Sequence, residues 1–223
     1  MKKPLLVLSS TLLSVSLLAA CSSKPETPTT TEKKPAATQE KETLHSDYVK
    51  YKKQIADLKK AIDKYEDINV AIKEGYIAGS GFVPMMGYHF VNPSYTTFEA
   101  DKPNTLMYTY RDGKYVLVGA EWGTPEKGKV PLDIQGLDWT LGHKASAHYD
   151  DGSELDSPSP EESLQTNPET GAKYTGWHPD IYTIHVYTHI LNPAGPFETN
   201  NPAITDEPPM LPPGFESTFK KKN

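Results

Sequence analysis

The sequence predicts an α+β domain in which an N-terminal helix, or helix pair, packs on an antiparallel sheet or a small β-barrel. Three patterns indicate this class: an amphipathic helix before residue 66, a hairpin signal near residue 112, and a later run in which apolar and polar side chains alternate. The domain is expected to span residues 43–214, followed by a flexible tail at 215–223.

The predicted helix begins near Ser46, which can cap it, and has Asp47 in its first turn. Large apolar and aromatic residues follow at spacings of three and four and form one stripe: Tyr48, Tyr51, Ile55, Leu58, Ile62 and Tyr65. Asp67 can begin a second, shorter helix that ends at Gly75, a residue suited to the left-handed cap position. The stripe covers fewer than three heptads, so we expect it to pack on its own domain rather than on a partner helix.

Two runs rich in β-forming residues flank Asp112-Gly113, which is a strong signal for a two-residue hairpin turn. Such a turn pairs Arg111 with Lys114 and Tyr108 with Leu117. Continuation of this register places Glu121 on the same, largely apolar, face as Tyr108.

A third strand is predicted at residues 181–190. Even positions from Tyr182 to Ile190 form an apolar face, and the odd positions, which include His185 and His189, form a polar face. This pattern is typical of a sheet whose second face meets solvent or lines a pocket. Residues 124–175 are rich in Gly, Pro, Asp, Glu and Ser, so loops with short irregular elements are expected there.

The N-terminal segment has the composition of a secretory signal, with Lys2 and Lys3 before an apolar run that is too short and too rich in Ser to span a membrane. The run ends at Leu18-Ala19-Ala20-Cys21, which resembles the bacterial lipobox. Cys21 is the only cysteine in the chain, so it has no partner for an intramolecular disulfide, and lipidation explains its presence. The sequence therefore predicts a signal peptide at 1–20 and a lipid anchor on Cys21.

Residues 21–42 are expected to be the lipidated cysteine and a disordered tether, because Ser22 onward contains no aromatic or large aliphatic side chain. The anchor would hold the domain at the extracytoplasmic face of the cell membrane. The formal net charge of −6 becomes −8 without Lys2 and Lys3, and Arg111 is the only arginine. Nucleic acid is not expected as a partner, because its binding depends on basic residues that neutralise phosphates.

Two histidines and a carboxylate are the candidate metal ligands. His89 lies in a short strand-like run, Glu121 ends the predicted hairpin, and His185 lies within the third strand. Three β segments can bring such residues to one sheet face, and this donor set suits zinc or another divalent first-row metal. The alternative is that each histidine is a hydrogen-bonded core or surface residue. The chain has no glycine-rich phosphate loop, nucleophile elbow or His-Glu-x-x-His motif.

Two other histidine groupings are weaker candidates. His185 and His189 are separated by about 13 Å along a strand, which is too far for one ion. His143 and His148 lie with Asp150, Asp151, Glu154 and Asp156 in a polar stretch that could bind a cation weakly. The stretch lacks the ligand pattern of a calcium loop, so a solvated acidic loop is the favoured interpretation.

Several short blocks occur in a fixed order along the chain: Gly75-Tyr76, Met-Gly-Tyr-His-Phe-Val-Asn-Pro at 86–93, Val-Gly-Ala-Glu-Trp at 118–122, His-Val-Tyr at 185–187 and Asn-Pro-Ala-Gly-Pro-Phe at 192–197. They resemble a family of exported bacterial proteins without an agreed activity, whose members read Met-Gly-x-His-Tyr-Val-Asn-Pro and later Leu-His-x-Trp before Asn-Pro-x-Gly-x-Phe. The resemblance implies a shared fold and a shared arrangement of His89, Glu121 and His185. The chain departs from the pattern at Phe90 and Tyr187, and residues 124–176 fall outside it.

The sequence thus predicts a membrane-anchored extracytoplasmic lipoprotein whose domain binds a metal ion or small ligand through His89, Glu121 and His185. A metal-dependent enzyme of the cell envelope and a purely structural or interaction lipoprotein are the alternatives. No catalytic residue is predicted.

Overall fold

The computed structural model describes residues 46–219. The predicted signal peptide, Cys21 and the predicted tether lie outside the described residues, as do residues 220–223. Within the described range, no helix has both the length and the apolar character that a membrane crossing requires.

The α-helices lie at the start of the described chain, and a short 3-10 helix, Glu216–Thr218, lies near its end. Residues 46–50 are helical, and α1 (Lys52–Ile62) follows after a turn at Tyr51. A 3-10 helix at Asp63–Glu66 leads to α2 (Ile68–Lys73). The Asp67 side chain accepts a hydrogen bond from the Asn69 backbone N–H at 3.0 Å, which satisfies one free donor at the start of α2.

Six strands form one open antiparallel sheet: β1 (Ile77–Ala78), β2 (Tyr88–Val91), β3 (Thr105–Arg111), β4 (Lys114–Thr124), β5 (Thr140–His143) and β9 (Ile181–Tyr187). Their order across the sheet is β1-β2-β3-β4-β9-β5. Because β1 and β5 are unpaired edges on opposite sides, the sheet does not close, and the predicted alternative of a small barrel is wrong. The antiparallel sheet itself is as predicted.

A second sheet lies within the part of the chain that was expected to be loops. It contains β6 (Ser146–Tyr149), β7 (Glu154–Asp156) and β8 (Tyr174–His178), in the order β7-β6-β8. A turn at Asp151-Gly152 joins β6 to β7, with Gly152 at φ +85°. The prediction of irregular structure across residues 124–175 is therefore wrong, because an Asp-Gly turn and its flanking strands occur inside a polar stretch.

One face of the six-stranded sheet is apolar and fully buried. Its side chains share a single core cluster with Ile55, Leu58 and Ile62 of α1. The sheet contributes Tyr88, Phe90, Leu106, Tyr108, Leu117, Ala120, Trp122, Ile184 and Val186. The packed region also includes residues beyond 214, since the Phe215 ring lies 5.2 Å from that of Phe90 and Phe219 is buried. Residues 215–219 therefore contribute to the packed region, and the rest of the predicted tail lies outside the described residues.

The hairpin between β3 and β4 has the predicted turn. Asp112 and Gly113 both have positive φ, at 49° and 77°, as a two-residue turn of this class requires. Arg111 pairs with Lys114 and Tyr108 with Leu117, so the predicted register is confirmed next to the turn.

Further from the turn, a β-bulge changes the register. Met107 pairs with Gly119, which leaves Val118 as an extra residue on β4. A single extra residue inverts the alternation of every side chain beyond it. Glu121 consequently pairs with Thr105, and its side chain lies on the other face of the sheet from that of Tyr108. The prediction that Glu121 shares the Tyr108 face is wrong, and the bulge moves this carboxylate to the face that carries the histidines.

Candidate functional site

His89, Glu121 and His185 converge on the second face of the six-stranded sheet and form the inner triad. His89 Nε2 lies 3.2 Å from Glu121 Oε2, and His185 Nε2 lies 3.8 Å from the same oxygen. The three ligand atoms lie within 4.8 Å of one another. Atoms that share one zinc ion at about 2 Å are about 3–3.5 Å apart, so the observed triangle is only slightly wider than an occupied site.

Sheet register explains how these residues meet. Glu121 on β4 pairs directly with His185 on β9. His89 lies two strands away on β2, where it pairs with Met107 of β3. The residue of β3 opposite Glu121 is Thr105, whose short side chain leaves room for the His89 imidazole to reach across the strand.

The inner triad is buried and its facing atoms have no hydrogen-bond partners. The side chains of His89, Glu121 and His185 are 6%, 4% and 1% exposed. Among the described residues, the buried side-chain polar atoms without a hydrogen bond are His89 Nε2, Glu121 Oε2 and His185 Nε2. The 3.2 Å contact lacks hydrogen-bond alignment. Each unpaired buried polar group costs about 1–3 kcal/mol, and a single cation at their centre would satisfy all three.

A hydrogen-bond chain fixes the protonated nitrogen of His89. The Ser80 hydroxyl donates its one hydrogen to the Gly81 carbonyl at 2.8 Å, so its oxygen acts as an acceptor. That oxygen lies 3.0 Å from His89 Nδ1 and also accepts the His89 backbone N–H. Nδ1 is therefore the protonated nitrogen, and the lone pair of Nε2 points at the triad centre. This is the second-sphere arrangement that orients metal-binding histidines.

Burial sets the charge of the inner triad. It raises the pKa of Glu121 to about 8. It also lowers the pKa of His185 to about 3, with a further contribution from the charge of His143, and holds the pKa of His89 well below its usual value. Near neutral pH the triad therefore contains two neutral imidazoles and a largely protonated carboxyl. A cation would replace that proton and gain three ligands.

His89 and Glu121 of the inner triad line a cavity of about 230 Å³ that also holds a second set of the same residue types. His148, Glu154 and His178 form the outer triad, with ligand atoms within 4.8 Å of one another. Their side chains are 23%, 29% and 20% exposed. The ring of His143 lies between the triads, 5.5 Å from that of His89 and 6.3 Å from that of His178.

The outer triad was not predicted. His148 and Glu154 were assigned to a solvated acidic loop, but they face each other across the β6–β7 pair, so that interpretation is wrong for them. The Asp151-Gly152 turn between them was the signal that could have found this pair. His178 was not recognised as a candidate, although it ends a short β-forming run, Tyr174–His178.

His189 does not join the inner triad, as its spacing from His185 predicted. Its Nε2 lies 3.0 Å from Asp63 Oδ1 and 3.4 Å from Glu66 Oε1. Lys59 Nζ lies 3.5 Å from the same nitrogen and 2.7 Å from Asp63. Asp63 and Glu66 are exposed, and Lys59 already supplies a cation, so we interpret the group as a surface ion-pair cluster.

Comparisons of the chain with protein-family models, with curated proteins and with solved structures gave no significant match. The family resemblance of the sequence blocks therefore stays a prediction.

Proposed function

We propose that this chain is a lipid-anchored extracytoplasmic protein that binds a divalent first-row transition metal at the inner triad, with zinc as the expected ion. The observation that carries the proposal is the convergence of three buried ligand atoms that lack any hydrogen-bond partner. Two imidazoles and one carboxylate form a recurrent ligand set for such metals and leave at least one coordination position open.

The fold proposed for this role is α+β, with N-terminal helices on the apolar face of the six-stranded sheet. The opposite face carries the histidines and the cavity, and also a smaller apolar cluster that includes Met107 and Tyr187. Metal ligands on three strands of one sheet are held by backbone hydrogen bonds, which restricts their movement. The site would therefore be largely formed before a metal arrives.

The metal content of the purified protein tests the proposal. The full chain would be solubilised in detergent, purified without metal-affinity steps, offered Zn²⁺, and washed with a weak chelator before elemental analysis. We expect about one tightly held equivalent, which His89→Ala and His185→Ala both lose. His189→Ala is the matched control and should keep it. Absence of tightly held zinc from the wild type, or its retention in both triad variants, would contradict the proposal.

The lipid anchor on Cys21 is a separate part of the proposal. Its support is the signal-like segment that ends in Leu-Ala-Ala-Cys and the absence of any other cysteine. Cells that express the chain would be fed a labelled fatty acid. We expect label on the wild type and none on Cys21→Ser. Equal labelling of the two proteins would show that the anchor lies elsewhere.

A metal-dependent enzyme is the second candidate function, and the cavity is the observation that favours it. His89 and Glu121 of the inner triad line the cavity together with His143. Burial lowers the pKa of His143, which leaves this ring neutral and able to accept a proton. A bound metal would supply Lewis acidity. If the protein hydrolyses a simple ester, His143→Ala should lower kcat about 100-fold with unchanged metal content, and an unchanged kcat would exclude His143 as the base.

A further inference from the structure

We propose that the outer triad, His148, Glu154 and His178, is a second cation site in the same cavity, which takes a divalent transition metal through the same donor types as the inner triad and holds it more weakly. This inference does not depend on the inner triad, because the two sites share no residue.

The register of the second sheet places the three ligands together. His148 on β6 pairs directly with Glu154 on β7. On its other side His148 pairs with Gly176 of β8, and His178 lies two residues further along that strand, on the same face. Direct and diagonal neighbours in an antiparallel sheet are within reach of long side chains. The triad is thus built from three adjacent strands.

The side chains direct ligand atoms at one another. His148 Nδ1 lies 3.4 Å from Glu154 Oε1, and His178 Nε2 lies 3.9 Å from Glu154 Oε2. His178 Nδ1 lies 2.5 Å from the Pro179 carbonyl, to which it donates, so the orientation of this ring is fixed with Nε2 towards the carboxylate. A backbone carbonyl behind a histidine ring is the common support for a metal-binding imidazole.

The residues around the cavity favour a cation. Its described lining includes His89, His143, His148 and His178 together with Glu121 and Glu154, and contains no Lys or Arg. The cluster around His189 differs because it contains a lysine: Lys59 already forms an ion pair with the Asp63 carboxylate. In the outer triad no fixed positive charge competes with an incoming metal.

The expected weakness of the outer site follows from its internal pairing. Glu154 already contacts both histidines, with Oε1 3.4 Å from His148 Nδ1 and Oε2 3.9 Å from His178 Nε2. A metal must displace this ion pair, and the partly exposed ligands allow it to exchange with solvent.

Zinc titration of the metal-free full chain in detergent tests the inference, with isothermal titration calorimetry as the readout. We expect two equivalents, one tight and one at least about tenfold weaker. Glu154→Gln and His178→Ala should remove the weaker equivalent and keep the tight one. Asp156→Asn alters an exposed carboxylate on the same strand that pairs with Lys144, and this control should keep both. Circular dichroism of each variant checks that it is folded.

The result separates the two sites. A single equivalent in the wild type, or a weaker equivalent that survives both Glu154→Gln and His178→Ala, would overturn the outer site. Glu121→Gln should remove the tight equivalent and keep the weaker one. If Glu121→Gln removes nothing while Glu154→Gln removes an equivalent, the outer site stands and the proposed function of the inner triad fails.

Discussion

The inner and outer triads contain the same residue types, two histidines and a glutamate, but they differ in burial and in whether their polar atoms have partners. The inner triad is almost completely buried, and its facing atoms have no hydrogen bonds. The outer triad is partly exposed, and Glu154 contacts His178. Burial lowers the pKa of His178, but the contacts with Glu154 and the Pro179 carbonyl outweigh burial, so this ring can carry the balancing charge.

The difference shows that burial, rather than residue type, decides what such a cluster requires. Burial raises the pKa of Glu121 to about 8. The pKa of Glu154 lies below its usual value, because the histidine contacts outweigh its burial. The outer triad can therefore persist as an ion pair without a metal. The inner triad keeps three unsatisfied atoms unless a cation supplies the missing contacts.

The largest expected effect is on metal affinity. Glu121→Gln preserves the size of the side chain but removes the carboxylate that both inner histidines face. We expect zinc affinity at the inner triad to fall at least about 100-fold, beyond the effect of losing an outer-sphere partner. Chelator competition measures it. Glu154→Gln is the matched substitution in the outer triad, and an equal loss of tight zinc in both variants would erase the distinction between the triads.

The next effect is the pH dependence of the inner site. Zinc must displace the proton of Glu121, whose pKa is about 8, whereas His89 and His185 are already neutral well below that pH. Tight zinc affinity should therefore fall about tenfold per pH unit below about pH 8, or about 100-fold by pH 6. Affinity that stays constant over that range would mean that Glu121 does not lose a proton to the metal.

Stability without metal should respond with opposite sign in the two triads. The pKa of Glu121 in the folded protein, about 8, exceeds its ordinary value of 4.5, so the wild type loses stability as pH rises between these values. Near pH 8 we expect metal-free Glu121→Gln to be about 4 kcal/mol more stable than the wild type, with no difference near pH 4. Chemical denaturation with chelator present measures this.

The outer carboxylate should behave in the reverse way. The lowered pKa of Glu154 means that its ionised form stabilises the fold above the ordinary pKa, and that this contribution disappears as pH falls through the lowered value. Glu154→Gln should therefore destabilise the metal-free protein near neutral pH. If both glutamine variants shift stability in the same direction, the contrast in charge state is wrong.

The smallest effect concerns the support of His89. Ser80→Ala removes the oxygen that accepts from His89 Nδ1 at 3.0 Å, so the ring is no longer held in the tautomer that presents Nε2. We expect tight zinc affinity to fall about tenfold. Thr183→Val is the control, because the Thr183 hydroxyl lies 3.5 Å from His185 Nδ1 and supports that ring only weakly. Equal effects of the two substitutions would remove the role assigned to Ser80.

The sequence predicted those parts of the site that depend on local patterns. Asp112-Gly113 predicted the hairpin turn and its near register, and the alternation after residue 181 placed His185 on the polar face of its strand. The sequence also predicts that His89, Glu121 and His185 form one group. Their convergence depends on strands that are distant along the chain.

The parts that sequence reasoning missed have physical reasons. The extra residue at Val118 reverses the side of Glu121, and a bulge of this kind leaves no mark in the alternation of apolar and polar residues. The outer triad was missed because the polar composition around Asp151-Gly152 masked the turn that joins β6 to β7. His178 could be placed only once the β6–β8 register was known.

The most direct test of the inner triad is anomalous diffraction at the zinc absorption edge from crystals of the zinc-loaded protein. A zinc ion bound at the inner triad should give a peak at about 2.0–2.2 Å from His89 Nε2, Glu121 Oε2 and His185 Nε2. A zinc-saturated crystal without a peak among these three atoms would contradict the proposed metal site.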